Sequence, residues 1–172
     1  AILIAAVLTA VLSPKLCLRS AGQELVQAGR EMWKPLATVA LVMAVAYITN
    51  YSGASSTIGL ALAQTGGIFP VLSPVIGWMG VFITGSVVNS NTLFGHLQAV
   101  TAGQIGVPAA LLVAANTAGG VMAKLVSPQS IAIAAAAVKL VGQEAAIMRT
   151  TLAVSLGLLA YVSLCTWAMS VL

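Results

Sequence analysis

Apolar residues run through this chain in long blocks, divided by short polar stretches that carry glycine or proline. The first block, Ala1 to Leu12, holds one polar residue, Thr9, and reads as the remnant of a transmembrane helix. It closes at Ser13-Pro14, and residues 13–34 then gather Lys15, Arg19, Glu24, Arg30, Glu31 and Lys34. Basic residues outnumber acids there, and an excess of Lys and Arg marks cytoplasmic loops, so 13–34 is expected to be cytoplasmic. Leu16, Leu18, Leu25 and Val26 alternate with polar residues, a pattern that also suits an amphipathic interfacial helix. Residues 35–53 form the next span, about the length that crosses a hydrocarbon core of about 30 Å. Tyr47 and Tyr51 lie near its far end, where interfacial aromatics concentrate. The stretch from Ser52 to Phe69 is rich in small residues and glycine, which suits a half-crossing or interfacial helix better than a full span.

Beyond it the pattern changes. Pro74 to Thr84 is an apolar run about half a membrane thick, ending at the polar tip Gly85-Ser86-Val87-Val88-Asn89-Ser90-Asn91-Thr92. A second short run follows from Leu93, so residues 74–103 predict a re-entrant hairpin. Residues 108–142 predict a span broken by Lys124-Leu125-Val126-Ser127-Pro128-Gln129-Ser130. Pro128 lacks an N–H and suits the first position of the second half-helix. Lys139, Glu144 and Arg149 mark a polar loop, and 150–172 is the last span. The expected fold is all-α, one polytopic transmembrane domain with a re-entrant hairpin and a discontinuous helix.

Composition sharpens that picture. Of 172 residues 60% are hydrophobic and 6% charged, where a soluble domain carries about 25% charged residues. From Pro35 to Ala123 there is no formal charge, counting His96 as neutral. So few charges cannot cover a water-facing surface, and a soluble fold is excluded. The net charge of +4 does not point to nucleic acid, because the basic residues form no patch interleaved with aromatics. Cys17 and Cys165 lie in different segments without metal-like spacing and read as free thiols; no metal site or cofactor is expected.

The two polar interruptions carry the chemistry. Irregular backbone at membrane depth survives only when buried in protein or lining a wet cavity, so both interruptions should face inward. The N-terminus of a half-helix offers free N–H groups and about half a positive charge, enough to hold a carboxylate. Carriers build midplane sites from such discontinuous helices. On this reading Asn91 and Thr92 open one half-helix; Pro128, Gln129 and Ser130 open the other. The hydroxyls of Ser90, Thr92, Ser127 and Ser130 add donors. Asn116-Thr117 repeats the Asn91-Thr92 pair in similar small-residue surroundings. Such pairs also serve plain helix packing in membranes, and both readings stand. Lys124 is either a counter-ion for an organic anion or a lysine reaching a membrane face. His96, one turn after Thr92, is the candidate proton carrier, since imidazole changes charge in the neutral range; the alternative is a packed, hydrogen-bonded histidine.

Three stretches are similar to the bacterial L-lactate permeases, a family that includes glycolate permeases. They are Ala46 to Gly53, Gly85 to Gly95 (Gly-Ser-Val-Val-Asn-Ser-Asn-Thr-Leu-Phe-Gly) and Ala115 to Ala132. The likeness covers the whole chain but only a C-terminal portion of a full permease. It implies proton-coupled uptake of L-lactate and related 2-hydroxymonocarboxylates across the bacterial inner membrane. It also implies kinship with carriers built of two inverted repeats, with Ser-Asn-Thr hairpin tips and often assembled as homodimers. Ser90-Asn91-Thr92 stands where such a tip belongs, and the chain would be the second repeat. The sequence departs from the family at Val87, where many relatives carry Asp and some Asn, so the resemblance supports the substrate class better than the coupling ion.

The expected substrate-binding set is therefore Ser90, Asn91, Thr92, Asn116, Thr117, Lys124, Ser127, Gln129 and Ser130, with His96 for the proton. The rival readings are a sodium- or proton-coupled carrier of another organic anion and a non-transporting membrane subunit. An intramembrane hydrolase would need a nucleophile with a base, and the one histidine and the lack of a Gly-x-Ser-x-Gly elbow argue against an enzyme.

Overall fold

The structure, a computed structural model, describes residues 18–140 and 142–172. The expected helix remnant at 1–12, the start of the loop at 13–34 and Cys17 lie outside the described residues. Seven α-helices follow in order: α1 Leu18–Tyr51, α2 Ala54–Ala63, α3 Phe69–Thr84, α4 Val87–Ile105, α5 Ala109–Ala123, α6 Pro128–Ala137 and α7 Glu144–Val171. One 3-10 turn, Gly66–Ile68, leads into α3. Among the described residues there is no strand.

The chain divides into two compact units at Leu41 and Val42. In the first, the polar stretch from Leu18, read from sequence as a loop or an amphipathic interfacial helix, is helical and runs on through position 35. Good helix formers dominate it, and pairs one turn apart support it: the Gln27 side-chain amide donates to Glu31 at 3.0 Å.

The second unit is a bundle centred on α3 and α5. Helix α3 packs on α5, α4 and α7, while α4 also packs on α5 and α2. Glycines set the closeness of these contacts. A Cβ on Gly77 would strike the Asn116 carbonyl, and one on Gly119 would strike the Pro74 carbonyl. The α3 and α5 backbones therefore touch, as membrane helices do where small residues line the interface.

The hairpin arms are longer than the pattern suggested. Helix α3 has 16 residues and α4 has 19, and only Gly85-Ser86 lies between them. The polar run from Val87 to Thr92 is not a coil tip; it forms the first turns of α4. Ser86 caps that helix, its hydroxyl accepting from the Asn89 N–H at 3.3 Å. Gly85 ends α3 with φ +68, a left-handed conformation suited to glycine, its N–H bonded to the Val81 carbonyl at 2.7 Å. The helix that begins at Ala109 ends at Ala123, and the next begins at Pro128. Pro128 opens α6, and Ser127 before it accepts the Ser130 N–H on its hydroxyl and the Ile131 N–H on its carbonyl.

Burial is inverted relative to a soluble protein. Ser73, Ser90, Gln98, Thr101, Asn116, Ser127 and Ser155 are fully buried, while Ile83, Val88, Ile133, Leu164 and Val171 are exposed. Polar groups inside and hydrocarbon outside is the arrangement a lipid solvent favours. Among the described residues four stretches are long and apolar enough to cross a membrane: Gly22–Tyr51, Gly66–Thr84, Ala109–Ala135 and Glu144–Val171. Helix α4 is too polar to join them.

Candidate functional site

The structure brings the two polar interruptions together. Lys124, just after α5, donates from Nζ to the Gly85 carbonyl at 2.5 Å. The Gln129 side chain, in the first turn of α6, lies against Gly85 so closely that a Cβ there would collide with it. The hairpin turn is thus held by the break in the neighbouring span. The Ser127 hydroxyl donates to that of Ser130 at 2.8 Å and accepts the Ser130 N–H at 3.4 Å, so Ser127 caps the N-terminus of α6.

Higher on α4, Asn91 faces Asn116 and Thr117 of α5. Asn91 Nδ2 donates to Thr117 Oγ1 at 2.9 Å, and Asn116 Nδ2 donates to Asn91 Oδ1 at 2.8 Å. Thr117 in turn donates to the Val113 carbonyl at 3.0 Å. The two Asn-Thr pairs are therefore partners across one helix interface. Asn116 is fully buried, while Asn91 and Thr117 are half-buried.

The remaining expected residues separate from this group. Ser90 is buried against α3, its hydroxyl donating to the Gly77 carbonyl at 3.2 Å, so its present role is helix packing. Thr92 does not open a half-helix. It lies in the second turn of α4 and its hydroxyl returns to the Val88 carbonyl at 2.9 Å. Asn91 is likewise inside the helix, whose first residue is Val87. His96 is exposed on α4 and is not drawn into the network. Among the described residues no cluster of His, Cys, Asp or Glu could hold a metal, and Cys165 is a free thiol.

The whole chain, residues 1–172, matches the family model described as L-lactate permease. The chain belongs to the L-lactate permease family. It is 48% identical over all of its length to the L-lactate permease of Halalkalibacterium halodurans, covering 33% of that protein. It is 57% identical over 74% of its length to the L-lactate permease of Escherichia coli K12, and 55% identical over 71% to the glycolate permease of the same strain. These alignments cover 23% and 22% of those two proteins, so the chain spans a third or less of the relatives it matches. No solved structure matches. Family membership and the four apolar helices make this a multi-pass membrane protein, of a family of transporters and not of enzymes.

Within this family member the sequence reading missed three groups. Gln98 lies two turns after Asn91 on the same face of α4, fully buried, with Nε2 donating to Asn116 Oδ1 at 3.2 Å and to the Ser73 carbonyl at 3.3 Å. The seven-residue spacing of Asn91 and Gln98 was the available signal. Ser73 donates to the Leu112 carbonyl at 3.0 Å, tying α3 to α5. Trp78 Nε1 donates to Ser155 at 2.9 Å, and Ser155 donates to the Met122 carbonyl at 2.8 Å, tying α3, α7 and the end of α5 just before Lys124. A single serine within an apolar span gives no warning of such a bridge.

Proposed function

We propose that this chain is part of a secondary active permease that takes up L-lactate and related 2-hydroxymonocarboxylates with protons across the bacterial cytoplasmic membrane. The observation that carries the reading is the meeting of hairpin turn and broken span at Gly85, Lys124 and Gln129. Lys124 and the Gln129 side chain meet there beside the N-terminus of α6, and a cation and a helix N-terminus are groups that recognise a carboxylate. Asn91 and Thr117 extend the polar surface from the same hairpin and the same span, and suit a hydroxyl beside the carboxylate. On arrival of the substrate, Lys124 would exchange the neutral Gly85 carbonyl for the carboxylate, a stronger charge-assisted partner. His96, exposed on α4, stays the proposed proton group.

The hairpin is read as re-entrant. Helix α4 is too polar to face lipid, and at 1.5 Å per residue α3 extends about 24 Å. Its turn meets the break after α5, and the second span continues beyond that point by the length of α6, about 15 Å. A hairpin that stops where its neighbour goes on need not reach the far face, which supports the re-entrant reading. The inverted-repeat and dimer readings rest on the family resemblance alone.

The test is labelled L-lactate uptake by the full-length permease in cells lacking their own lactate uptake, with and without a protonophore. Uptake that collapses with the protonophore is expected; uptake that persists, or depends on sodium, overturns proton coupling. Lys124→Ala is expected to lower uptake tenfold or more, on the order of one charge-assisted hydrogen bond, at unchanged membrane levels. Wild-type transport in that variant sinks the counter-ion role. A competition panel decides a second reading, favoured by the glycolate permease relative: glycolate competing better than lactate makes glycolate the main substrate.

A further inference from the structure

The side chains between α4 and α5 form a hydrogen-bond chain with one direction as far as Asn91, and the Thr117 hydroxyl that accepts from Asn91 Nδ2 lies within donating distance of both the Val113 carbonyl, at 3.0 Å, and Asn91 Oδ1, at 3.2 Å. Gln98 donates to Asn116, Asn116 donates to Asn91, and Asn91 donates to Thr117. Asn116 and Asn91 each accept on the oxygen and donate from the nitrogen, so the direction at one end dictates it at the other. What fixes the direction is the Ser73 carbonyl. It can only accept, so Gln98 must turn its NH2 group toward it and toward Asn116. The consequence is visible in the molecule: Gln98 Oε1 is buried and has no hydrogen-bond partner. Buried polar groups are nearly always paired, and an unpaired one calls for a reason.

The geometry points to Gln98 as the positioning residue that sets the polarity of the site, holding the Asn91 NH2 group toward Thr117. This rests on the reading of Asn91 and Thr117 as groups that face the substrate. An NH2 group donates to a carboxylate or hydroxyl oxygen, whereas an amide oxygen in its place repels a carboxylate. Gln98 touches no substrate itself. It acts through Asn116, which is fully buried behind Asn91. The orphaned acceptor at Gln98 is the counterpart of an ordered donor at Asn91.

The prediction is specific because Gln98→Glu nearly preserves shape and reverses polarity. Burial holds a Glu at that position protonated; its one O–H goes to the Ser73 carbonyl, which can only accept, and its other oxygen faces Asn116 and accepts. Asn116 must then turn its NH2 toward it and its oxygen toward Asn91, and Asn91 must turn its own oxygen toward Thr117. Gln98→Met removes the head of the chain without reversing it. Initial rates of L-lactate uptake are measured for the full-length permease carrying Gln98→Glu, Gln98→Met or Asn91→Ala, with membrane levels quantified. Expected is a KM raised about tenfold in Gln98→Glu and about threefold in Gln98→Met, with the maximal rate per protein within about twofold of wild type. Equal KM shifts in the two variants, or a loss of maximal rate with KM unchanged, reduce Gln98 to a packing residue and overturn the proposal. A wild-type KM in both, with KM raised in Asn91→Ala, also overturns it and leaves the site reading standing. A wild-type KM in Asn91→Ala removes the site reading and the proposal with it. Should Gln98→Glu fail to reach the membrane, Gln98→Met decides: a wild-type KM there overturns the proposal.

Discussion

The residues that matter most for the site are small ones that let backbones meet. Gly77 and Gly119 are the clearest, because each would direct a new Cβ onto a carbonyl of the facing helix. Those carbonyls belong to Asn116 and Pro74, so neither can retreat without separating α3 from α5. Separation would also pull Ser73 from the Leu112 carbonyl and Gln98 from the Ser73 carbonyl. Gly77→Ala and Gly119→Ala are each expected to destabilise by about 1–3 kcal/mol, the usual cost of overpacking. Gly95→Ala is the contrast, since a Cβ there meets nothing within 4 Å and alanine is the better helix former. Thermal unfolding of the detergent-solubilised full-length protein compares them; a melting temperature for Gly77→Ala equal to that for Gly95→Ala refutes the close approach as a stability determinant.

At the scale of elements, apolar patterning marked the apolar stretches and proline the start of α6, but it read Val87 to Thr92 as a polar tip where the chain is helical. The run from Val87 to Thr92 is polar in sequence, and sequence-local reasoning treats polarity at membrane depth as a break in the helix. In the structure those polar groups are satisfied across space instead: Ser90 by the Gly77 carbonyl on α3, Asn91 by two residues on α5. The partners are 13 and 25–26 positions away, so no local window shows them. The same distance hid Gln98 and Ser155, whereas Lys124 and the Ser127–Ser130 cap stood out because each contrasts with its own neighbours. Helix ends follow the same divide. The end of α6 is a local motif, with the Leu140 N–H reaching back to the Ala135 carbonyl at 2.8 Å and Lys139 in the left-handed region at φ +58. Glycine adopts that conformation without the Cβ penalty, so Lys139→Gly is expected to stabilise by up to about 1 kcal/mol. A melting temperature lowered by this change would show that the lysine side chain makes a compensating contact.

At the scale of the molecule, helix lengths and contacts in the second unit constrain the topology. Helices α3 and α4 are antiparallel arms joined by Gly85-Ser86, so the chain leaves the hairpin on the side where it entered, whatever depth the turn reaches. We read helices α5 and α6 together as one crossing, since the stretch Ala109–Ala135 has 27 residues and the length of a full span. The loop after α6 must therefore face the side opposite to the loop before α3. Lys139 and Arg149 flank that later loop, and basic residues favour the cytoplasm, which puts the α2–α3 connection outside. Gln64 and Gln143 are exposed in these two connections. With Cys17 and Cys165 replaced by serine in the full-length protein, Gln64→Cys is expected to react with a membrane-impermeant thiol reagent added to intact cells, and Gln143→Cys only in inverted vesicles. Labelling of both from one side would mean that α5 and α6 turn back at Lys124 instead of crossing. The contact between Lys124 and Gly85 would then join two hairpin tips, and the carboxylate site would open to one side of the membrane only. A carrier needs its site within reach of both sides, so this labelling result bears on the transport reading as directly as an uptake assay does.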